Sequence, residues 1–359
     1  MRQQERLRSL DSLRGIGALA VMIWHATWVA FGGANGPGIL LIPRRGYLAV
    51  DLFFMLSGFV LAHVYSADFA NRPSRRRYAA FIWARLARIY PLHLLSILLL
   101  LRLYGQTSLY SGHALALNLL LLQGPWLPQV TWNYPSWSIS AEWHAYLLFP
   151  VFCAGLWRLP GKAAAAVAIA CALALVLTCA ESEWGLANVT NGPLSLARAL
   201  PEFITGMLAY RAYRTGWCRA LWQSDLFLAS IAVAILALSC AWPTDLAIIL
   251  LLPGVLLAAA TNEGRAKSLL ISRPLQFLGD ISYSLYMIHY TCIIAIFDAL
   301  FGVDSAGAPT APRIMAFFAA IALSLGFATA LSRGIEYPAR SALRRLWAGE
   351  IGERSPAGR

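Results

Sequence analysis

Apolar runs of about twenty residues recur along nearly the whole chain, and a run of that length crosses a hydrocarbon core of about 30 Å at 1.5 Å per helical residue. Backbone groups in lipid must find their hydrogen bonds inside the chain, so each run is expected to be a helix. The 359 residues are 59% hydrophobic and only 13% charged, well outside the range of a soluble domain. The reading is an all-α polytopic membrane protein. Its ten spans fall near 13–31, 47–66, 85–104, 135–156, 163–180, 194–211, 224–241, 244–261, 282–301 and 312–334.

Arginine placement sets the orientation. With a cytosolic N-terminus, one side collects Arg2, Arg6 and Arg8, then Arg72 with Arg75, Arg76 and Arg77, Arg158 with Lys162, Arg214 with Arg219, Arg265, Lys267 and Arg273, and lastly Arg340, Arg344 and Arg345. The other side holds little beyond Arg44 and Arg45. This asymmetry places both termini in the cytosol. It also accounts for 29 basic against 17 acidic residues without invoking nucleic acid. An eleventh span at His113–Gln123 would reverse every later loop, so that stretch is read as re-entrant or interfacial. The loop around it, Gly105–Tyr134, then offers Trp126, Trp132, Asn133 and Tyr134 to a sugar, with an interfacial aromatic belt as the plainer alternative.

The six cysteines show no C-x-x-C pair, and His63, His93, His113 and His144 show no ligand spacing; no metal is assigned. The basic N-terminus precedes an uncleaved first helix. Residues 1–340 are read as one membrane domain and 341–359 as a short basic tail without fixed structure, with no fused soluble domain.

Ionisable groups at membrane depth are costly and each invites a functional reading. In LDSLRGIGALAVMIWHATW, Arg14 and His25 are eleven residues apart, which is about 20° off three full turns, so they share a face with about 16 Å between them along the axis. Ala18 and Val21 or Met22 lie between and would form a narrow apolar lane. A cation at the mouth suits phosphates, and an imidazole deeper in suits a general base acting at a thioester.

The same span resembles the signature of acyltransferase family 3, an arginine and a histidine separated by ten residues. Further segments are similar to the family in order: VDLFFMLSGFVLA, FIWARLARIYPLH, NLLLLQ, YPSWSISAEW and LGDISYSLYMIHY. The resemblance implies a multispanning enzyme of the bacterial cytoplasmic membrane. It would move an acyl group, most simply acetyl, from cytosolic acyl-CoA to a hydroxyl of a carbohydrate or glycoconjugate, or of a macrolide-type molecule, with no cofactor held permanently. Many members carry a fused extracytoplasmic hydrolase-like domain, so a separate extracytoplasmic transferase is a possible partner here, beside membrane lipids.

The remaining residues are read beside that. Arg85 and Arg88, three apart on one helix face, could clamp phosphate with Arg14, or simply anchor the topology. Glu142, about 10 Å into its span, needs a partner, either His25, which it would orient, or an acceptor hydroxyl; a structural hydrogen bond is the rival. Ser282, Tyr286 and His289 form a stripe lining the donor pocket, with His289 second to His25 as base. Asp11 or Ser12 would cap the first helix, and Asp11 could also position Arg14. Ser57 and Ser282 support the site, and Trp137 joins Trp132, Asn133 and Tyr134 on the acceptor side. Asp51 and Glu202 are left to packing. A transporter or flippase of a glycan or lipid intermediate is the alternative from another class.

Overall fold

A computed structural model describes residues 7–32, 42–70, 74–104, 111–182, 185–241, 243–302, 307 and 310–353, and every helix or strand element among them is helical. The α-helices in order are α1 (Arg8–Phe31), α2 (Ala49–Phe69), α3 (Arg75–Tyr104), α4 (Gly112–Leu119), α5 (Gln123–Trp126) and α6 (Ser136–Arg158), then α7 (Gly161–Ala180), α8 (Pro193–Thr215), α9 (Arg219–Trp222), α10 (Asp225–Ser239) and α11 (Asp245–Thr261). The chain closes with α12 (Arg265–Leu270), α13 (Arg273–Phe301), α14 (Ala311–Leu331) and α15 (Tyr337–Glu353). All ten apolar runs are helical. Seven helical stretches among the described residues, those containing α1, α2, α6, α7, α13 and α14 and most of α3, are long and apolar enough to cross a membrane, which makes this a multi-pass membrane protein. The apolar helices α10 and α11 are shorter, at 15 and 17 residues.

Two contacts between glycine-bearing helices set the geometry of the centre. A Cβ on Gly15 of α1 would lie 2.5 Å from the backbone nitrogen of Gly279 on α13, and one on Gly279 would lie 2.5 Å from the Asp11 carbonyl oxygen. Ten residues beyond each glycine, His25 and His289 also meet. Touching at two points ten residues apart in the same order, α1 and α13 run side by side in parallel. In a membrane, parallel passage of α1 and α13 requires an odd number of crossings between them. Similarly, Gly58 of α2 sits against the Phe203 carbonyl and Gly206 of α8 against the Met55 carbonyl, so these two helices also pack backbone to backbone.

The segment expected to be re-entrant is α4 and α5, and at eight residues α4 is too short to span. Side chains fasten it: His93 Nε2 meets the Asn118 carbonyl at 2.8 Å, Asn118 donates to Thr131, Gln123 donates to the Ser136 carbonyl, and Ser140 Oγ accepts from the Gly124 N–H while donating to the Leu121 carbonyl.

Two expectations are corrected. Helix α1 begins at Arg8, ahead of Asp11 and Ser12, and its cap Leu7 offers no side-chain acceptor. Ser12 is instead buried against the end of α12, donating to the Leu270 carbonyl and accepting from Gln276 Nε2. The tail is the second case, because α15 continues through Glu353 after a π-helical turn at Ser332–Glu336. Arg2, Arg6 and Arg72, residues 105–110 of the long loop and residues 354–359 lie outside the described residues.

Candidate functional site

At the Arg8 end of α1, helices α1, α2, α3, α6 and α13 enclose a cavity of about 90 Å³. Arg14, Arg85 and Arg88 line it together with Ser57, Glu142, Tyr146, Ser282 and Tyr286. The three arginines read as a clamp therefore do converge. Arg14 pairs with Asp11 at 3.3 Å, so Asp11 restrains its guanidinium. Arg85 donates to the Tyr65 hydroxyl at 3.3 Å and lies over the rings of Tyr65, Phe81 and Tyr146.

Glu142 belongs to this cavity rather than to the imidazole. Its carboxylate accepts from Ser57 and, at 2.5 Å, from the Tyr146 hydroxyl one turn along α6. The expected orientation of His25 by Glu142 is thus replaced by another contact. Ser282 donates to the Gly279 carbonyl one turn back, which satisfies it while leaving it on the cavity wall.

His25 lines a second, smaller cavity of about 20 Å³, with Trp24, Tyr47, Val50, Tyr134, Pro135, Trp137, Thr190, Arg198 and Tyr286. Its partner is His289: Nδ1 of His25 and Nε2 of His289 are 3.0 Å apart. The proton positions follow from the acceptors. His289 Nδ1 lies 3.0 Å from the Leu285 carbonyl, which can only accept, so Nδ1 carries the proton and a neutral His289 presents a lone pair at Nε2. That lone pair, and the Val21 carbonyl at 3.1 Å, both call for a proton on His25 Nδ1. His25 Nε2 is left as a free lone pair, and it is buried with no hydrogen-bond partner among the described residues. Such a buried atom on a pocket wall is suited to take a proton from a hydroxyl.

The two cavities share Val50 and Tyr286. The Tyr286 hydroxyl is 2.7 Å from Ser138 Oγ and 3.1 Å from the Pro135 carbonyl, to which Ser138 also approaches at 3.1 Å. This knot of two hydroxyls on one carbonyl divides the arginine cavity from the imidazole pocket. The apolar lane expected along Ala18 and Met22 does not exist there. Both residues are fully buried against α13 and α14, because the Gly15–Gly279 approach closes that face of α1; of the lane residues, Val21 reaches the pocket.

The four acceptor-side residues separate. Tyr134 stacks on Tyr290 at 5.2 Å, sets its edge to His25 at 5.6 Å and lines the pocket beside Trp137. Trp132 is instead buried with Leu100, Ala114 and Leu127, and Asn133 is buried and donates to the Met287 carbonyl, tying the loop to α13. Trp126 is 65% exposed and contacts His144.

Arg198 is the residue that the sequence reading passed over. It is fully buried on α8, makes a two-pronged pair with Asp51 at 2.8 and 2.7 Å, donates to the Leu186 and Val189 carbonyls, and sits 5.2 Å from the Trp137 ring. It thereby fixes the 185–190 connection that brings Thr190 to the pocket. A cation inside the apolar run 194–211 was the available signal. Outside it, Asp245 holds Tyr47 at 2.7 Å and Arg45 at 3.2 Å and accepts from the Leu186 N–H, bracing Tyr47 against Trp24.

Comparison with known proteins bears on this arrangement directly. Residues 7–333 match the profile of acyltransferase family 3, described as an acyltransferase domain. Among curated proteins, the chain is 31% identical over 318 residues to the acyltransferase MdmB of Streptomyces mycarofaciens, covering 80% of this chain and 79% of that one. It is 23% identical over 322 residues to the putative peptidoglycan O-acetyltransferase YrhL of Bacillus subtilis (strain 168), covering 79% of this chain and 48% of that longer protein. A third match, 42% identical over 96 residues, is protein 2 in the picA locus of Rhizobium radiobacter, covering 27% of this chain and 44% of that one. No solved structure matches. With the family profile spanning nearly all of the helical bundle, the chain belongs to acyltransferase family 3 and is a membrane O-acyltransferase.

Proposed function

We propose that the protein transfers an acyl group, most simply acetyl, from acyl-CoA to a hydroxyl of a carbohydrate or glycoconjugate, in the cytoplasmic membrane of a bacterium. The observation that carries this reading is the free lone pair on buried His25 Nε2, in a pocket sharing Tyr286 with a cavity lined by three arginines. Arg14, Arg85 and Arg88 hold the donor's phosphates, because guanidinium groups match phosphate oxygens through paired donors. Tyr134 and Trp137 offer ring surface to the acceptor, in keeping with the peptidoglycan named for the Bacillus relative.

The chemistry balances on one proton. His25 Nε2 takes the proton from the acceptor hydroxyl as its oxygen attacks the thioester carbon. The C–S bond then breaks, and the thiolate of CoA recovers that proton from His25. His289 accepts the Nδ1–H throughout, holding the ring and steadying the imidazolium as it forms. An acyl group carried briefly on Nε2 is the variant of this path that moves the group before the acceptor arrives.

In purified protein, His25→Ala should lose about 10²- to 10⁴-fold in transfer from labelled acetyl-CoA, the usual share of a positioned base, while still binding CoA. A folded His25→Ala variant with undiminished turnover would end the proposal. Mass spectrometry of surface glycans from cells carrying either form identifies the hydroxyl that loses its ester.

A further inference from the structure

Helix α15, which the sequence offered only as a tail, is held against α3 at the arginine end of the bundle. Trp83 Nε1 donates to the Leu343 carbonyl at 2.7 Å, and the Trp83 and Trp347 rings stack at 5.9 Å. Glu336, Arg340 and Arg344 follow at four-residue intervals, hence on one face of the helix, adjoining the one that carries Leu343 and Trp347. Arg340 is within electrostatic reach of Arg88, Arg344, Arg85 and Glu336, and Arg344 of Arg85 and Arg88. The cluster has two tiers by position, because Arg88 is one turn further along α3 into the bundle than Arg85, and half-buried Arg340 is one turn from exposed Arg344 on α15.

These four guanidinium groups outnumber the carboxylates near them, Glu336 and Glu142, and Asp11, which is paired with Arg14. Among the described residues none forms an ion pair, and Arg85 Nε is buried without a hydrogen-bond partner. The nearby carboxylates come within ion-pair distance of none of the four: Glu336 accepts from Ser284 at 2.6 Å, Glu142 from Ser57 and Tyr146, and Asp11 pairs with Arg14. Like charges four residues apart on a helix, as Arg340 and Arg344 are, work against the helix unless an anion compensates. Continuity with the Arg85 and Arg88 wall of the donor cavity says what does.

We propose that α15 completes the donor site and seats the nucleotide end of the thioester: Arg340 with Arg88 takes the diphosphate, and Arg344 with Arg85 takes the phosphate on the ribose. Two tiers of cations stepping outward from the cavity fit a ligand with phosphate at two levels. A lipid headgroup with one phosphate needs only one. The inference rests on acyl-CoA being the donor.

The test is affinity of the purified full-length protein, in phosphatidylcholine nanodiscs, for CoA, 3′-dephospho-CoA and pantetheine. Wild type should prefer CoA to dephospho-CoA by about tenfold, the worth of about 1.4 kcal/mol for one partly exposed phosphate contact. Arg344→Gln should erase that preference by weakening CoA alone. Arg340→Gln should weaken both nucleotides about tenfold and leave pantetheine unaffected. The control Arg345→Gln removes the same charge from the neighbouring residue, about 100° round the helix, and should change nothing. Arg344→Gln retaining the preference, or Arg345→Gln matching its loss, overturns the assignment. So does an Arg340→Gln/Arg344→Gln protein that keeps its CoA affinity but loses retention of phosphatidylglycerol, which would give the arginines to a lipid. Wild type that neither binds CoA nor turns over acetyl-CoA would instead overturn the donor itself.

Discussion

Replacing Gly15 by alanine tests whether the histidine pair depends on the close approach of α1 and α13. The new methyl carbon would sit 2.5 Å from the Gly279 nitrogen, 2.6 Å from the Leu278 carbonyl carbon and 2.8 Å from the Leu278 Cβ. Ordinary contact between such atoms begins about 1 Å further out. Backbone cannot fold away as a flexible side chain can, so the helices must part by roughly that amount. A sideways shift of about 1 Å, carried ten residues along both helices, takes the 3.0 Å contact between His25 and His289 beyond hydrogen-bonding range. Overpacking of this kind costs about 1–3 kcal/mol of stability, and misplacing a reacting group by about 1 Å can cost 10²-fold in rate. We therefore expect Gly15→Ala to fold, to melt lower, and to transfer acetyl about 100-fold more slowly. His289→Ala removes the partner without moving α1, so Gly15→Ala in that background should cost much less than in wild type. A Gly15→Ala enzyme within twofold of wild-type turnover, or two substitutions whose effects simply add, would refute the reasoning.

Arg198→Met should destabilise the protein by about 3–5 kcal/mol, because Asp51 would be left charged and buried. Thermal unfolding in detergent reads this, and the companion Asp51→Asn should recover most of the loss; a single variant as stable as wild type would remove Arg198 as the clamp of the 185–190 connection. Tyr286→Phe deletes the hydroxyl that closes the partition, at about 1 kcal/mol per hydrogen bond. Acetyl-CoA consumption without acceptor should then rise about fivefold, and an unchanged rate would mean that opening at Tyr286 does not limit entry.

Features written locally were legible in the sequence. Helix positions follow from apolar run length, and α4 was recognisable as too short to cross because arginine placement constrained its neighbours. The shared phase of Arg14 and His25 is helical arithmetic, and it brought both to adjoining cavities. Partners were not legible, since they depend on which helices touch. Pairing of His25 with His289 spans 264 positions and that of Arg198 with Asp51 spans 147, and no periodicity encodes either. Trp132 and Tyr134 looked alike as aromatic loop residues two apart, yet one is packed beneath α4 and the other faces His25. The lane beside Ala18 and Met22 failed for a related reason. Small side chains can mark an opening or a place where another backbone comes close, and here Gly279 decided for the second.

Tyr286 at rest also bears on the membrane as an insulator. A donor admitted from one face and an acceptor from the other would, in an open shaft, leave a conducting thread of water along which protons could run down the cell's electrical gradient. Latched to Ser138 and the Pro135 carbonyl, Tyr286 stands between the two cavities, and under the proposed transfer it would keep such a thread of water from forming.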